Sequence, residues 1–294
     1  MKLIEEYLTR DNAEMAQDCD AVLVRGNCLC DAENLKKFKS YGINWVFTRT
    51  VGYNHFDLQA AKKLGISIAR VPNYSPFAVA NLAFTLGENL VHHIAEARYE
   101  VHLGDFIMHP QYFATEFNRL TIGIFGAGKI GVAEAKLWDG IGATVLAYDP
   151  FPSDQAKQYV NFVSQDELVQ KSDVVSVHVS YFLKKMKTSA YLVNTARGEL
   201  ADTQAIADAI RSGEIAGYGG DVIVDEKHLV GKKFESIGQE PDPAVRELMS
   251  LYPKVLMTPH MGSFTKPALE DMISISYENF HEMQTKGNCK FLLK

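Results

Sequence analysis

Short runs dense in β-branched and aromatic residues alternate along the chain with longer stretches whose apolar positions recur at helical spacing. This is the pattern of a parallel sheet covered by helices. Strands are expected first at Ala21–Val24, at residues 44–47 and at residues 66–69. The helical stretches between them end at Gly42 and Gly65, where a left-handed cap suits glycine. At Ser75-Pro76 a serine cap and a proline at the first helical position open a long apolar helix running toward Glu96, suited to bridging two domains. A poorly patterned stretch, residues 103–118, follows.

A second alternating series begins at Leu120, with strands expected at Thr121–Phe125, Thr144–Tyr148, residues 174–178, residues 190–193 and Val255–Met257. Ser164-Gln165-Asp166-Glu167 reads as a capping box at a helix start. Thr265-Lys266-Pro267 opens a last amphipathic helix, with Leu269, Met272, Ile273 and Phe280 expected on its buried face. The pattern therefore predicts two α/β units, the final helix packing back on the first.

Composition narrows the partners. With 294 residues, 47% apolar and 22% charged, the chain can bury a large core, and its length suggests about two domains. Thirty Lys and Arg against 36 Asp and Glu give a formal charge of −6 with no basic block, which argues against nucleic acid or an anionic membrane as partner. Two carboxylates in Met1-Lys2-Leu3-Ile4-Glu5-Glu6 fall where a secretory leader needs its apolar core, so no leader is expected. The most apolar stretch, residues 77–94, is interrupted by Asn81, Glu88, Asn89, His92 and His93, which a lone membrane span would not tolerate. Cys19, Cys28, Cys30 and Cys289 fit neither a disulfide framework nor a zinc site. Free thiols in a reducing cytoplasm and no metal are the expectation.

Gly126-Ala127-Gly128-Lys129-Ile130-Gly131 follows an expected strand and opens a helix, the setting in which a G-x-G-x-x-G loop binds a dinucleotide. The first glycine permits the turn, the second lets a pyrophosphate approach the backbone, and the third lets helix and strand pack closely. Asp149 ends the next strand, where a carboxylate accepts both ribose hydroxyls and repels a 2′-phosphate; NAD is expected over NADP.

Three further strand ends carry chemistry. Asn194-Thr195-Ala196-Arg197-Gly198 puts an arginine where open sheets bind ligands, although such an arginine serves equally as a surface ion-pair residue. Asp221 and Glu226 follow another strand and read either as site acids or as solvated loop charges. His260, after Thr258-Pro259, reads as a proton donor or a structural imidazole.

Taken together, these motifs resemble the D-specific 2-hydroxyacid dehydrogenase family over nearly the whole chain. The resemblance implies two Rossmann/flavodoxin-like parallel-sheet domains with a cleft between them: a discontinuous, shortened substrate domain at residues 1–73 and 268–294, and an NAD-binding domain at residues 74–267. It implies a homodimer that transfers hydride between NADH and C2 of a 2-keto acid to give a D-(R)-2-hydroxy acid. By the same resemblance Arg197 orients the substrate, His260 is the catalytic histidine and Glu226 its paired carboxylate. Asp221 matches the residue at the nicotinamide end, and Val51 and Gly52 match the loop whose amides receive the substrate carboxylate. His178, Thr195 and Ala196 join the glycine loop in the cofactor set, His178 without an obvious acid partner.

The segments Asp20-Ala21-Val22-Leu23-Val24-Arg25-Gly26-Asn27-Cys28 and His260-Met261-Gly262-Ser263-Phe264-Thr265 are most similar to the (R)-2-hydroxyglutarate branch. A dicarboxylic keto acid needs a second cation, for which Arg25 is the candidate; pairing of Arg25 with Asp20 or Asp31 is the alternative. Ser263 stands where relatives with small monocarboxylic substrates carry an aromatic ring, which leaves room. D-lactate or an aromatic or branched 2-hydroxy acid are the alternative products. The family's first strand and helix have no match here, the connection from Ser180 to Ser189 is short for a parallel crossover, and Asn81 replaces a usual glutamate. These departures keep open a catalytically impaired NAD-binding sensor, while a methyltransferase would leave Arg197, Glu226 and His260 without a role.

Overall fold

In the computed structural model, which describes residues 2–178 and 186–293, the chain divides into two compact units, Met1–Ser75 with Thr265–Lys294, and Pro76–Phe264. The divisions lie two and three residues from the expected ones. Residues 180–185 of the short connection from Ser180 to Ser189 fall outside the described residues.

The first unit is built on β1 (Ala21–Val24), α1 (Ala32–Ser40), β2 (Trp45–Thr48), α2 (Leu58–Leu64) and β3 (Ser67–Arg70). The strands pair in parallel in the order β1-β2-β3. Asp31 and Asp57 cap the two helices by accepting from the Asn34 and Ala60 amides, and Gly65 ends α2 in the left-handed region. Leu35, Phe38, Ile43 and Val46 form its fully buried core.

The second unit begins with α3 (Pro76–Val91), which stops short of Glu96: His93 turns left-handed at φ 53° and a separate α4 (Ile94–His102) follows. Nor is α3 a bridge. Its small residues dock within the second unit, where a Cβ on Gly87 would stand 2.9 Å from the Trp138 ring. Beyond α4 the chain leaves Leu103, Phe106, Ile107, Met108 and Phe113 exposed, Met108 at 89% and Phe113 at 92%.

Then come β4 (Thr121–Phe125), α5 (Lys129–Gly140), β5 (Thr144–Tyr148), the short β6 (Asn161–Phe162), α6 (Gln165–Lys171), β7 (Val174–Val177), β8 (Tyr191–Asn194), α7 (Thr203–Ser212), β9 (Gly217–Gly220), α8 (Pro243–Ser250) and β10 (Val255–Met257). The seven strands run parallel in the order β10-β9-β8-β7-β4-β5-β6. Alternate residues feed opposite faces. Val175 and Leu192 join Ile206, Ile210 and Leu248 on one side, and Val174 and Val193 join Leu86, Leu90 and Trp138 on the other. All strand carboxyl ends therefore share one edge, with the chain order reversing between β4 and β7, where such sheets bind ligands.

The last helix, α9 (Lys266–Lys286), returns to the first unit, where Phe280 meets the rings of Trp45 and Phe47 edge-on. Its buried stripe is Ala268, Met272, Ser276, Asn279 and Met283, whereas Leu269 and Ile273 are exposed. The expected face is thus partly wrong because two polar residues turn inward and find partners there. Ser276 Oγ donates to the Met272 carbonyl, and Asn279 Nδ2 donates to the Arg70 carbonyl at 3.0 Å.

Candidate active site

The glycine loop joins β4 to α5. Gly126 has φ 104°, and a Cβ on Gly131 would fall 2.1 Å from the Gly126 carbonyl oxygen. Both positions exclude any side chain. A Cβ on Gly128 would meet nothing within 4 Å, so the loop is open on the side where α5 starts. No side chain caps that start, which leaves the first amides of α5 and its positive dipole end for an anion. Lys129 and Ile130 lie in this first turn.

Asp149 stands at the end of β5. Its Oδ1 accepts from the Phe151 amide at 2.8 Å, and Oδ2 makes no hydrogen bond among the described residues. At the end of β8 the Thr195 hydroxyl is buried with no hydrogen-bond partner among the described residues, next to Ala196. An uncapped glycine cradle, a carboxylate with a spare oxygen and an orphaned hydroxyl on one sheet edge fit a dinucleotide.

His178, just past β7, has an acid partner after all. Its Nε2 donates to Oε2 of the fully buried Glu134 at 2.8 Å, and the same carboxylate accepts from Ser176 Oγ at 2.7 Å and from Trp138 Nε1 at 3.3 Å. Glu134 comes from α5, so the network ties the glycine-loop helix to the neighbouring strand. His178 Nδ1 is buried and unpaired.

The other side of the site grows from three strand ends. Buried Asn194 shapes the turn after β8, its Oδ1 accepting from the Ala196 amide at 3.1 Å and its Nδ2 donating to the Arg197 carbonyl at 2.9 Å. Arg197 is exposed, with Nη1 on the Ala196 carbonyl. The next residue, Gly198, is pressed against the chain after β9, where a Cβ would stand 2.1 Å from the Ile223 carbonyl carbon. That chain turns left-handed at Asp225 and enters a single 3-10 turn, Glu226–His228.

After β10, His260 adopts φ 55° and its Nδ1 donates to Glu226 Oε1 at 2.5 Å. Asp221 is buried and holds this segment: Oδ1 accepts from Thr258 Oγ1 at 2.5 Å and the Met261 amide at 2.8 Å, and Oδ2 accepts from the Gly262 amide at 2.7 Å. The sequence offered no signal for this brace, nor for that of Asn194. The hydrogen bond that His260 donates to Glu226 is the main reason its pKa lies above the ordinary imidazole value. Burial opposes it, the Glu226 and Asp221 charges support it, and the Arg197 charge opposes it, which also puts Arg197 within electrostatic reach of the ring.

Ser263, half-buried, follows three residues after His260. Asn81 is exposed on α3. The remaining candidates belong to the first unit. The guanidinium of Arg25 lies 4.2 Å from the centre of the Tyr7 ring and donates to the Glu5 carbonyl. Its expected alternative partner Asp31 is taken by Arg10 at 2.7 Å. The Val51 carbonyl accepts from Arg70 Nη1 at 2.9 Å and the Gly52 carbonyl from Thr50 Oγ1 at 2.7 Å. The amides of Val51 and Gly52 donate to no group among the described residues.

A doubly wound sheet carrying a dinucleotide cradle, with an imidazolium–carboxylate pair and an arginine at the same edge, defines a nucleotide-dependent oxidoreductase. Residues 84–262 match the D-isomer specific 2-hydroxyacid dehydrogenase NAD-binding domain. The chain is 33% identical to an aromatic 2-oxoacid reductase from Clostridium sporogenes, over 98% of this chain and 90% of that protein. A D-lactate dehydrogenase from Treponema pallidum superimposes with a TM-score of 0.88 at 30% identity, covering 99% of this chain and 90% of that one. A D-lactate dehydrogenase from Lactobacillus jensenii, solved with NAD+, gives 0.84 at 33% identity, covering 100% and 92%. The chain belongs to the D-isomer specific 2-hydroxyacid dehydrogenase family and is an NAD-dependent enzyme of it. The sensor and methyltransferase readings give way to that.

Proposed function

We propose that this enzyme reduces a small monocarboxylic 2-oxo acid, aliphatic or aromatic, to its D-2-hydroxy acid. The observation that carries the reading is the 2.5 Å contact of His260 with Glu226 within electrostatic reach of Arg197. Glu226 keeps the imidazole charged, and the charged ring delivers its Nε2 proton to the oxygen on C2 as that oxygen becomes an alkoxide. Arg197 holds the C1 carboxylate and the C2 oxygen with its planar fork, fixing orientation and offsetting the developing charge. Gly126, Gly128, Lys129, Ile130 and Gly131 hold the pyrophosphate, Asp149 the ribose, and Thr195, Ala196 and His178 line the rest of the cofactor site, with Asp221 bracing the His260 segment at its nicotinamide end; when bound, NADH supplies the hydride. Val51 and Gly52 are assigned to the substrate carboxylate because their amides are uncommitted.

The monocarboxylic choice draws on the names of the relatives and on Arg25, whose guanidinium is already occupied by Tyr7 and Glu5. A second reading, 2-oxoglutarate to (R)-2-hydroxyglutarate, is favoured by the small Ser263 beside the His260 segment. We also infer a homodimer joined through the exposed apolar residues 103–113, and a cytoplasmic setting consistent with four free cysteines, three of them buried. The test is NADH oxidation with pyruvate, phenylpyruvate, 2-oxoisocaproate and 2-oxoglutarate side by side, for the parent and for His260→Ala. The reading requires turnover of at least one monocarboxylate, falling roughly 100-fold to 10,000-fold in the variant. Turnover confined to 2-oxoglutarate would install the second reading, and an unaffected variant would remove His260 from the chemistry.

A further inference from the structure

Among the described residues the Glu226 carboxylate has one hydrogen-bond partner. Oε1 accepts from His260, and Oε2 is buried with no hydrogen bond. With no second side chain bonded to it among the described residues, its aim comes from its backbone. That backbone is a single 3-10 turn without a side-chain cap, entered through a left-handed non-glycine residue, Asp225 at φ 49°. Such a turn is not self-sustaining.

Its far end is anchored. His228 Nε2 lies 2.9 Å from Oε1 of Glu240, a fully buried carboxylate. The two atoms lie within hydrogen-bond distance but off the hydrogen-bond direction. Glu240 itself is fixed to α8: its Oε2 accepts from the Asp242 amide at 2.9 Å, Asp242 caps the helix through the Ala244 amide at 2.8 Å, and Arg246 donates to the Glu240 carbonyl. Val245 and Leu248 seat α8 in the core. In a 3-10 turn successive side chains are about 120° apart, so residues two apart leave on different sides. Glu226 leaves toward His260 and His228 toward Glu240.

We infer that His228 and Glu240 are positioning residues for the reaction, fastening the Glu226 turn to α8 so that its carboxylate meets His260. A buried carboxylate needs a polar partner, and the one that approaches Glu240 Oε1, His228 at 2.9 Å, comes from the very turn that must be held. The inference rests on the proposed pairing of Glu226 with His260.

The test uses the NADH-loaded full chain and the variants Glu240→Gln, His228→Ala, His228→Lys and Glu226→Gln. The readouts are kcat, substrate KM, NADH affinity by fluorescence titration, and the low-field proton NMR signal of His260 Nδ1. Glu240→Gln keeps the shape and the bond from the Asp242 amide, so it reports even if His228→Ala does not fold. Expected for Glu240→Gln and His228→Ala is a fall in kcat of about tenfold to a hundredfold, the scale of a displaced catalytic group. NADH affinity should be unchanged and the low-field signal displaced, while His228→Lys, whose donor can still reach the Glu240 carboxylate, should keep most of the parent kcat. Unchanged kcat and an unmoved signal in Glu240→Gln would overturn the inference, as would lowered thermal stability alone. A parent low-field signal that survives Glu226→Gln would show that the underlying pairing had failed, and the inference with it.

Discussion

Asp221 and Gly262 meet across the segment that carries His260, the carboxylate Oδ2 accepting the glycine amide at 2.7 Å while a Cβ at position 262 would stand 3.0 Å from the same oxygen. The acid is committed to the protein's own backbone. Asp221→Asn keeps one acceptor and turns an amide NH2 toward donors it cannot satisfy. Loss of about 1–3 kcal/mol of stability is expected in denaturant titrations, the range for stranding buried polar groups. Turnover should fall with it while NADH affinity changes little. A large loss of NADH affinity at intact stability would instead favour direct contact with the cofactor.

The pH profile follows from the sign of the His260 shift. The folded pKa is raised, so the imidazolium and the stability it contributes are fully present below the ordinary histidine value and are lost as pH rises through the raised one. Reduction of a 2-oxo acid should therefore fall along that alkaline limb, and oxidation of the hydroxy acid should rise along it. Glu226→Gln removes the leading cause of the shift, so both limbs should move to lower pH in steady-state profiles. Limbs that stay where they are would assign the titration to another group.

Cofactor choice is expected to rest on Asp149. Its free Oδ2 is available to a ribose hydroxyl and opposes a phosphate at the same place. Asp149→Ser should narrow the preference for NADH over NADPH, measured as the ratio of kcat/KM values. A ratio that does not move would shift the discrimination to other residues.

Arg25→Met separates the two substrate readings. The guanidinium is spent on the Tyr7 ring and the Glu5 carbonyl, so pyruvate and 2-oxoglutarate should be affected alike, with a stability cost of about 0.5–1 kcal/mol for the lost stacking. A KM increase confined to 2-oxoglutarate would make Arg25 the cation for a distal carboxylate.

The parts of this molecule written in local spacing were legible in the sequence. The glycine loop needs only neighbours six residues wide, the β4 and β5 strands announce themselves by β-branched runs, and Ser164 caps α6 where the capping box starts it. What escaped depends on distant partners. Glu134 and His178 are 44 residues apart, and neither hints at the other in a run of alanines or at a strand end. Ser276 and Asn279 read as solvent-facing until the Met272 and Arg70 carbonyls appear beside them. The break at His93 is equally silent, since its left-handed φ belongs to no residue type that advertises it.

Gly198 leaves less than a methyl group's clearance between the turn of Arg197 and the chain leading to Glu226. If Arg197 and Glu226 have the proposed roles, the grip on the substrate and the tuning of the proton donor are consequently geared together. Any change that lifts one loop carries the other with it, so substitutions in the two will combine non-additively in a double-mutant cycle. Widening the pocket here by reshaping the arginine turn alone would detune the acid at the same stroke.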